Sequence, residues 1–225
     1  MGKIAFQLRL VIGLVACSAL VFGMPIFQSD FSEPVAPVAN GFARYFDTEV
    51  VGGAAGPWTV TSGSVDQMGT NYWEHPTGHN NSVDLAGLGP GAITTTLTGL
   101  TPGFMYTVNF MLSGNPDWTI FPNFPGSINR AATVSAAGVS QTFDFTSANS
   151  RDDMMWVAQS FMFTADSPTV MLSFADASAS EGGFGAVVTA ISVTESGVPE
   201  PTTMALLGGG LLGLALLRRR QMLKN

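Results

Sequence analysis

The sequence contains one cysteine, Cys17, in 225 residues. Because Cys17 lies inside an apolar N-terminal run, the chain that follows this run has no thiol at all. A chain without thiols forms no disulfide, holds no metal through thiolates and has no cysteine nucleophile. The scarcity of cysteine therefore excludes three kinds of chemistry from the main body of the protein.

Basic side chains are scarce as well. Between residues 30 and 195 there are fifteen acidic side chains against three arginines, Arg44, Arg130 and Arg151, which gives this segment a net charge of −12. A field of this sign repels phosphate backbones and anionic lipid surfaces. We therefore expect no nucleic-acid partner.

Helical patterning is missing from residues 40–195, where apolar side chains instead recur at every second position. The clearest case is 104–112, in which aromatic and aliphatic residues at even positions alternate with polar residues and methionines. Turn residues such as Ala137-Gly138 separate the alternating segments. A segment of this length suffices for one domain with a substantial core. The pattern predicts an all-β fold, an antiparallel two-sheet jelly-roll sandwich over residues 40–195.

The N-terminal segment 1–24 is typical of a secretory signal peptide. A basic start precedes an apolar run over residues 10–22, which matches the n-region and h-region of such signals. The cleavage point is open and extends as late as residue 39. The run ending at Cys17 also fits a lipobox, which would place a lipid on that cysteine, although the apolar residues after it are unusual for a mature lipoprotein. We expect export through the Sec translocon.

The C-terminal segment 196–225 has the composition of a membrane-directed tail. Two prolines flank an acidic residue, and an uncharged run over 202–217 and a basic triplet follow. As a helix, residues 204–217 would be about 21 Å long, which is short against a hydrocarbon core of about 30 Å. The basic triplet would stay cytoplasmic and place the body outside the cytoplasm. The residues expected to act as the signal are Pro199, Glu200, Pro201, Arg218, Arg219 and Arg220.

This order of motif, apolar helix and basic stop resembles the PEP-CTERM sorting signal. The resemblance implies that a membrane-embedded exosortase recognises the tail and removes it, at the surface of Gram-negative bacteria that make exopolysaccharide. Until that step the helix 202–217 would hold the protein at the inner membrane. An ordinary single-span anchor is the alternative.

Seven sequence blocks between residues 63 and 156 are the basis of a second resemblance. They are Gly63-Ser64-Val65-Asp66, Tyr72-Trp73, Ser82-Val83-Asp84-Leu85, Pro90-Gly91-Ala92-Ile93, Tyr106-Thr107-Val108-Asn109-Phe110, Leu112-Ser113-Gly114-Asn115-Pro116 and Trp156. In this order they resemble the choice-of-anchor C family of bacterial surface proteins, which is related to a plant cell-wall protein family. The resemblance implies a surface location and a galactose-binding-like jelly roll, a fold that often binds carbohydrate, and it implies no reaction.

Two blocks depart from that family pattern. The opening block, which usually reads Asn-Gly, an aromatic residue and an acid, is Asn40-Gly41-Phe42-Ala43 here. Thr189-Ala190 stands where an Asp-Asn pair is usual near the last strand. Any ligand or ion contact that the family makes through that pair is therefore in doubt for this chain.

Residues 71–84 combine aromatic rings with carboxamides and carboxylates, and a second aromatic loop begins at residue 118. Aromatic faces stack on the apolar side of sugar rings, and amide and carboxylate oxygens accept hydrogen bonds from sugar hydroxyls. The alternative is that the tryptophans merely cover the ends of the sandwich. The candidate carbohydrate-binding residues are Tyr72, Trp73, Asn81, Asp84 and Trp118.

Metal and cofactor motifs are not evident. Asp66, Asp84 and Glu181 are candidates for calcium, which prefers oxygen ligands. His75 and His79 are four residues apart, but the proline and glycine between them indicate a solvated loop rather than a helical zinc pair. We expect no cofactor other than this calcium.

Catalytic motifs are also lacking. The chain has no Gly-x-Ser-x-Gly elbow, and the adjacent acids Asp152 and Asp153 would face opposite sides of a strand. We therefore expect no enzyme. The preferred hypothesis is an exported structural or adhesive protein of an exopolysaccharide matrix, followed by a lectin-like carbohydrate-binding module and, least favoured, a secreted glycan hydrolase.

Overall fold

The computed structural model describes residues 24–32, 41–53, 56–120, 129–178 and 182–196. Within these residues the chain forms thirteen β-strands and one short 3₁₀-helical segment, Pro116–Ile120. The strands make two antiparallel sheets that enclose a shared apolar core. The predicted antiparallel two-sheet jelly-roll sandwich is confirmed.

The strands follow one another from residue 27 to residue 195. They are β1 (Phe27–Ser29), β2 (Phe42–Phe46), β3 (Val50–Val51), β4 (Trp58–Ser62), β5 (Ser64–Met68), β6 (Ser82–Asp84), β7 (Ala92–Thr98), β8 (Met105–Gly114), β9 (Arg130–Ala136), β10 (Val139–Phe145), β11 (Val157–Thr164), β12 (Thr169–Asp176) and β13 (Ala186–Glu195).

The two sheets contain seven and six strands. The first has the order β11-β8-β13-β6-β5-β2, with β1 also pairing with β13, and the second has the order β10-β9-β12-β7-β4-β3. Consecutive strands lie in opposite sheets from β6 to β9 and again from β10 to β13. This repeated crossing between sheets is the connectivity of a jelly roll.

The core is built from the alternating residues that the sequence shows. In β8 the side chains of Tyr106, Val108, Phe110 and Leu112 are buried between the sheets, and their neighbours along the strand face outward. Phe104, which continues the alternation in the sequence, precedes β8 and is 37% exposed.

The turn Ala137-Gly138 joins β9 to β10, as predicted. Both residues have positive φ, 48° and 74°, and they link the opposed pair Ala136 and Val139. Two consecutive positive φ values are typical of the type I′ turn that matches the twist of a two-residue hairpin. Glycine takes the second position because it adopts positive φ without steric cost.

The sandwich begins earlier than residue 40. Strand β1 pairs with β13 at Phe27–Val193 and Ser29–Ile191, and the Phe31 side chain is completely buried against Trp58. Cleavage as late as residue 39 would remove this strand and a core aromatic residue. The predicted lower boundary was therefore too late by more than ten residues.

Both predicted membrane-directed segments fall almost entirely outside the described residues. Of the signal segment only Met24 is described, and the helix 202–217 is not. Over the part of the chain that the structure describes, no helix is long or apolar enough to cross a membrane.

A second, smaller apolar cluster covers the outer face of the seven-stranded sheet. Met68, Trp73, Met154 and Val187 are buried there, and the partly buried rings of Tyr72 and Trp156 pack against them. We call these six residues the outer cluster. It holds the loop after β5 and the segment before β11 against the sheet, and the candidate site lies beside it.

Candidate functional site

A cleft of about 410 Å³ opens beside the outer cluster, where segments that are distant in sequence meet. This volume is within the usual range of small-ligand sites. We call it the arginine cleft. Its lining residues are Phe42, Arg44, Asp66, Met68, Tyr72, Gly87, Leu88, Asn115, Asp117, Arg151, Gly182, Gly183 and Phe184.

One wall of the cleft carries an ion pair between adjacent strands. Arg44 on β2 lies directly opposite Asp66 on β5, and its Nε and Nη2 donate to the two carboxylate oxygens at 2.7 and 2.6 Å. The hydrogen bond raises the pKa of Arg44. Burial raises the pKa of Asp66 and outweighs the opposing effect of Arg44. The pair is bidentate and therefore fixed in direction as well as distance.

The opposite wall carries a second ion pair. Arg151 donates from Nε and Nη2 to the Asp117 carboxylate at 2.6 and 2.7 Å, and the same Nη2 donates to the Tyr72 hydroxyl at 3.0 Å. That hydroxyl donates to Asp117 at 2.9 Å, and the guanidinium carbon lies 4.5 Å from the Tyr72 ring centroid. Burial, followed by Asp117, raises the pKa of Tyr72 to about 12. We call these three residues the Asp117 cluster.

Aromatic rings connect the two walls. Phe42 packs edge-on against Tyr72, with ring centroids 5.8 Å apart, and the Arg44 guanidinium lies 5.5 Å from the Phe42 ring centroid. Phe42 is 43% exposed and Leu88 is 66% exposed. The cleft thus offers ligands an apolar surface between two charged pairs.

A buried polar chain supports the floor. Asp84 lies opposite Asp66 in the register of β5 and β6, and Asn115 donates to Asp84 at 2.6 Å. The Asp117 backbone N–H donates in turn to Asn115 at 2.8 Å. Burial raises the pKa of Asp84 well above its usual value, although Asn115 and a backbone N–H oppose the shift. Asn115 therefore links Asp84 to Asp117, and Asp84 faces Asp66 in the strand register.

Close backbone packing brings this floor together. A Cβ at Gly87 would lie 3.0 Å from Asp66 Oδ1 and 3.1 Å from Arg44 Nε, and a Cβ at Gly183 would lie 2.1 Å from the Gly87 carbonyl oxygen. Distances under 3.0 Å are not compatible with real side chains. Glycine at these positions allows the loops to approach the ion pairs.

The arginine cleft has both donors and acceptors for a polar ligand. A guanidinium has five N–H donors; Arg44 uses two of them on Asp66, and Arg151 uses three on Asp117 and Tyr72. The remaining donors lie beside carboxylates that can accept further bonds. The two pairs together carry no net charge, in contrast to the strongly acidic body.

The structure corrects the role predicted for Trp73. Its side chain is 3% exposed within the outer cluster, and its Nε1 donates to Ser82 at 2.9 Å. A ring with this burial has no free face on which a sugar could stack. Asn81 is also buried and donates to the Met68 carbonyl.

The other predicted carbohydrate residues have different positions. Tyr72 lines the cleft, and Asp84 is fully buried beneath it, so Asp84 cannot contact a ligand directly. Trp118 is partly buried and does not line the cleft. Of the five predicted residues, the structure therefore brings only Tyr72 to the surface of this site.

Two of the three predicted calcium residues are described, and both are engaged in hydrogen bonds within the protein. Asp66 is bonded to Arg44, and Asp84 accepts hydrogen bonds from Asn115, Ala86 and Gly185. Glu181 lies outside the described residues. No group of three or more histidine, cysteine or acidic residues in those ranges is placed to hold a metal ion.

His75 is not a solvated loop residue, contrary to the prediction. Its ring stacks on Trp156 with centroids 6.5 Å apart, and its Nε2 lies 3.3 Å from the Ser82 hydroxyl. Burial lowers the pKa of His75 to about 4, so the ring is neutral at pH 7. His79 is partly buried.

Sequence reasoning missed Phe42, Arg44, Asp117 and Arg151. The signal that could have found them is the scarcity of cations. Arg44 and Arg130 both lie near Asp84, and Arg151 is paired with Asp117, so each of the three arginines of residues 30–195 has a carboxylate near it. In a body with so few basic residues, each arginine indicates a candidate ion pair.

Comparisons with known proteins cover most of the chain. Residues 27–194 match the family described as "Protein of unknown function (DUF642)", and residues 197–220 match the PEP-CTERM protein-sorting motif. The second match confirms the predicted sorting signal, which indicates export to the cell surface and processing by exosortase.

One relative by sequence is halomucin of Haloquadratum walsbyi (strain DSM 16790 / HBSQ001). It is 32% identical over 145 residues, which is 64% of this chain. The match spans about 1% of the length of halomucin.

Two solved structures to which the chain is similar are carbohydrate binding modules. A carbohydrate binding module of Cellvibrio mixtus lichenase 5A, in complex with cellotriose, is 11% identical, with 77% of this chain and 100% of that chain covered at a TM-score of 0.39. A family 35 carbohydrate binding module from Clostridium thermocellum is 13% identical, with 69% of this chain and 92% of that chain covered at a TM-score of 0.38.

Because the family match over residues 27–194 covers well over half of the chain, the protein belongs to the DUF642 family of proteins of unknown function.

Proposed function

We propose that this exported protein is a cell-surface glycan-binding protein and that the arginine cleft binds a neutral saccharide unit. The observation that carries the proposal is the pairing of two bidentate arginine–aspartate contacts with an aromatic wall in one cleft. The PEP-CTERM motif supports the location, because a surface protein meets extracellular polysaccharide directly.

Sugar chemistry matches this arrangement. Neighbouring hydroxyls on a sugar ring each donate and accept, so they require donors and acceptors side by side. An arginine held by an aspartate presents both within one rigid unit. Phe42 and Tyr72 supply the apolar surface on which a ring face can lie.

Charge favours a neutral ligand over an anionic one. Arg44 and Arg151 are each neutralised by their aspartate partner, and the body around them carries a net charge of −12. An anionic polymer would therefore meet repulsion at long range and no unpaired cation in the pairs at short range. Binding of a neutral glycan is expected to depend little on salt.

One further role follows from this proposal. A surface protein that binds glycans would act as an adhesive component of an exopolysaccharide matrix. This role is the hypothesis preferred from the sequence, and it agrees with the choice-of-anchor C resemblance. The proposal contains no catalytic step. A hydrolase would need one of the two cleft carboxylates to carry a proton and the other to stay ionised, whereas here each is bonded to an arginine.

The test compares two phenylalanines on the same strand. Phe42 is 43% exposed and lines the cleft, and Phe46 is 48% exposed and does not. We expect Phe42→Ala in the purified mature protein to weaken binding to short neutral oligosaccharides by about tenfold, the value of a lost aromatic contact, and Phe46→Ala to leave it unchanged. Equal binding by both variants would refute the role of the cleft.

Two further measurements test enzyme activity and processing. Release of new reducing ends from a polysaccharide would replace the binding proposal with the hydrolase hypothesis. Intact mass of the surface form should place the mature C-terminus near Pro199, and detection of Arg218 in that form would contradict removal of the tail.

A further inference from the structure

Three loops that line the arginine cleft begin or end at neighbouring strand ends of the seven-stranded sheet. Gly87 and Leu88 follow β6, Asn115 and Asp117 follow β8, and residues 182–184 precede β13. The three strands are adjacent in the sheet, in the order β8-β13-β6. A group that fixes these loops relative to one another therefore fixes the shape of the cleft.

One buried carboxylate accepts a hydrogen bond from each of these loops. Asp84, the last residue of β6, is completely buried. Its Oδ1 accepts from the backbone N–H groups of Ala86 and Gly185 at 2.9 and 3.1 Å. Its Oδ2 accepts from Asn115 Nδ2 at 2.6 Å. All three neighbours are donors, so both oxygens of Asp84 act as acceptors.

Asn115 extends this arrangement to the Asp117 cluster. Its Oδ1 accepts from the Asp117 backbone N–H at 2.8 Å, which leaves its Nδ2 as the group that faces Asp84. Turning the Asn115 amide around would place its NH₂ group opposite the Asp117 N–H, and two donors cannot bond to each other. The direction of the hydrogen bond between Asn115 and Asp84 is therefore fixed.

The loops after β6 and before β13 are rich in glycine. Gly87, Gly89, Gly182 and Gly183 have no side chain to pack, and Leu88 is 66% exposed. Glycine leaves the backbone more conformational freedom than any other residue. Such loops depend on hydrogen bonds for a fixed position, and Asp84 accepts from the residue next to each of them.

We propose that Asp84 is a positioning residue of the arginine cleft. Its carboxylate holds the three loops at the spacing that a saccharide requires, and through Asn115 it aligns the Asp117 cluster. Asp84 acts through its neighbours, because it is completely buried and does not contact the ligand. The inference rests on the proposed function, since it concerns the same ligand in the same cleft.

The experiment exchanges donor and acceptor between residues 84 and 115. In Asp84→Asn two NH₂ groups face each other, and in Asn115→Asp two carboxylates do. In the double variant Asp84→Asn/Asn115→Asp, the amide at residue 84 donates to the carboxylate at residue 115, and the Oδ1 atoms of both residues can still accept from their backbone partners. The double variant gives up the 3.3 Å bond from Asn115 to the Gly183 carbonyl.

Two measurements on the purified mature protein follow the exchange. One is the affinity for short neutral oligosaccharides, and the other is amide hydrogen exchange of Ala86, Asp117 and Gly185 by NMR, which reports local opening without a ligand. We expect each single variant to bind about tenfold more weakly, the value of one lost hydrogen bond, and to exchange at least one of these amides about tenfold faster. The double variant should return to within about threefold of the parent in both measurements.

Asp176→Asn is the matched control. The charge of Asp176 acts on Asp84, but its Oδ1 accepts from Ser178 and Ala186 at 2.6 and 3.0 Å, and the amide oxygen of asparagine can accept both bonds. This variant removes a nearby negative charge without changing the bonds from Asp84 to the loops. It should stay within about twofold of the parent in affinity and in the exchange of Ala86, Asp117 and Gly185.

Recovery in the double variant distinguishes positioning from a general loss of stability. A double variant that is no better than the poorer single variant would overturn the proposal, as would unchanged exchange in both single variants. An effect of Asp176→Asn as large as that of Asp84→Asn would also overturn it, because charge alone would then explain the result. If Asp84→Asn does not fold, Asn115→Asp and the double variant give the same comparison.

Phe42→Ala separates this inference from the proposed function. Binding that is lost in Phe42→Ala and kept in both single variants would overturn the positioning role and leave the proposed function standing. If the parent binds no oligosaccharide, or if Phe42→Ala binds as well as Phe46→Ala, the proposed function fails. The exchange rates then still decide whether Asp84 holds the loops in place.

Discussion

Replacing Asp117 with asparagine tests whether the Asp117 cluster stabilises the cleft. The buried carboxylate accepts three hydrogen bonds, two from Arg151 at 2.6 and 2.7 Å and one from Tyr72 at 2.9 Å. Asparagine has nearly the same shape, but its NH₂ group would face at least one of these donors. Loss of one hydrogen bond to a charged group costs about 1.5–3 kcal/mol.

Exposure of the partner limits that cost. The Arg151 side chain is 44% exposed, so water can solvate its charge, and the ~3–5 kcal/mol penalty of an orphaned buried charge does not apply. We therefore expect Asp117→Asn to lower the free energy of unfolding by about 2 kcal/mol. With a urea m-value of about 1–3 kcal/mol/M, the midpoint of unfolding falls by about 1 M.

The same substitution should act on the Tyr72 hydroxyl. Asp117 is the second cause of the raised pKa of Tyr72, after burial, so Asp117→Asn should bring this pKa below about 12 and leave it above the ordinary value near 10. Spectrophotometric titration of the tyrosines measures the change.

Asp152 provides the control for the unfolding experiment. It is adjacent to Arg151 in sequence and its side chain is exposed, so Asp152→Asn should change stability by less than about 0.5 kcal/mol. If Asp117→Asn shifts the urea midpoint no more than Asp152→Asn does, the hydrogen bonds of the Asp117 cluster do not stabilise the protein and the reasoning is refuted.

Three further predictions concern the core, the glycine contacts and pH. Phe31→Ala should lower the free energy of unfolding, measured in urea, by about 3–5 kcal/mol because the ring is completely buried. A loss of stability as small as that caused by Phe46→Ala would place residue 31 outside the folded domain. Gly185→Ala should lower the free energy of unfolding by about 1–3 kcal/mol, because a Cβ there would lie 2.6 Å from Ala86 Cβ. In the control Gly89→Ala the new Cβ meets nothing within 4 Å, so stability should not change. Similar urea midpoints for the two variants would disprove the contact. Burial raises the pKa of Asp66, Asp84 and Asp176, so the folded protein binds more protons than the unfolded chain above pH ~4 and its unfolding free energy should fall as pH rises through the folded-state pKa values. The lowered pKa of His75 acts in the opposite direction between about pH 4 and pH 6.5. His75→Gln should therefore make the unfolding free energy fall more steeply with pH in that range. A curve of unfolding free energy against pH that runs parallel to that of the parent would contradict this.

The fold was predictable because the decisive information is local. The period-two alternation of β8 specifies which face of the strand is buried, and Ala137-Gly138 specifies a hairpin through its backbone conformation. Strand β1 was missed because its three residues are too few to show a pattern, and they follow an apolar signal-like run without a break.

The site was predictable only in part, because its contacts depend on strand register and loop packing. Tyr72 and Trp73 are adjacent and chemically similar in the sequence, yet one ring lines the cleft and the other fills the outer cluster. Arg44 meets Asp66 through the pairing of β2 with β5, and Arg151 meets Asp117 from 34 residues away. No local periodicity encodes these pairs.

The course of β13 separates the arginine cleft from the sorting segment. The strand starts directly after the Gly182–Phe184 side of the cleft and ends at Glu195, next to the sorting segment. Strand β1 runs antiparallel to β13, so the start of β1 at Phe27 lies beside the C-terminal end of β13. Ten residues at ~3.3 Å each separate the two ends. The cleft therefore lies roughly 30 Å along the strand from the end that the sorting segment follows, and strand β1 begins beside that end.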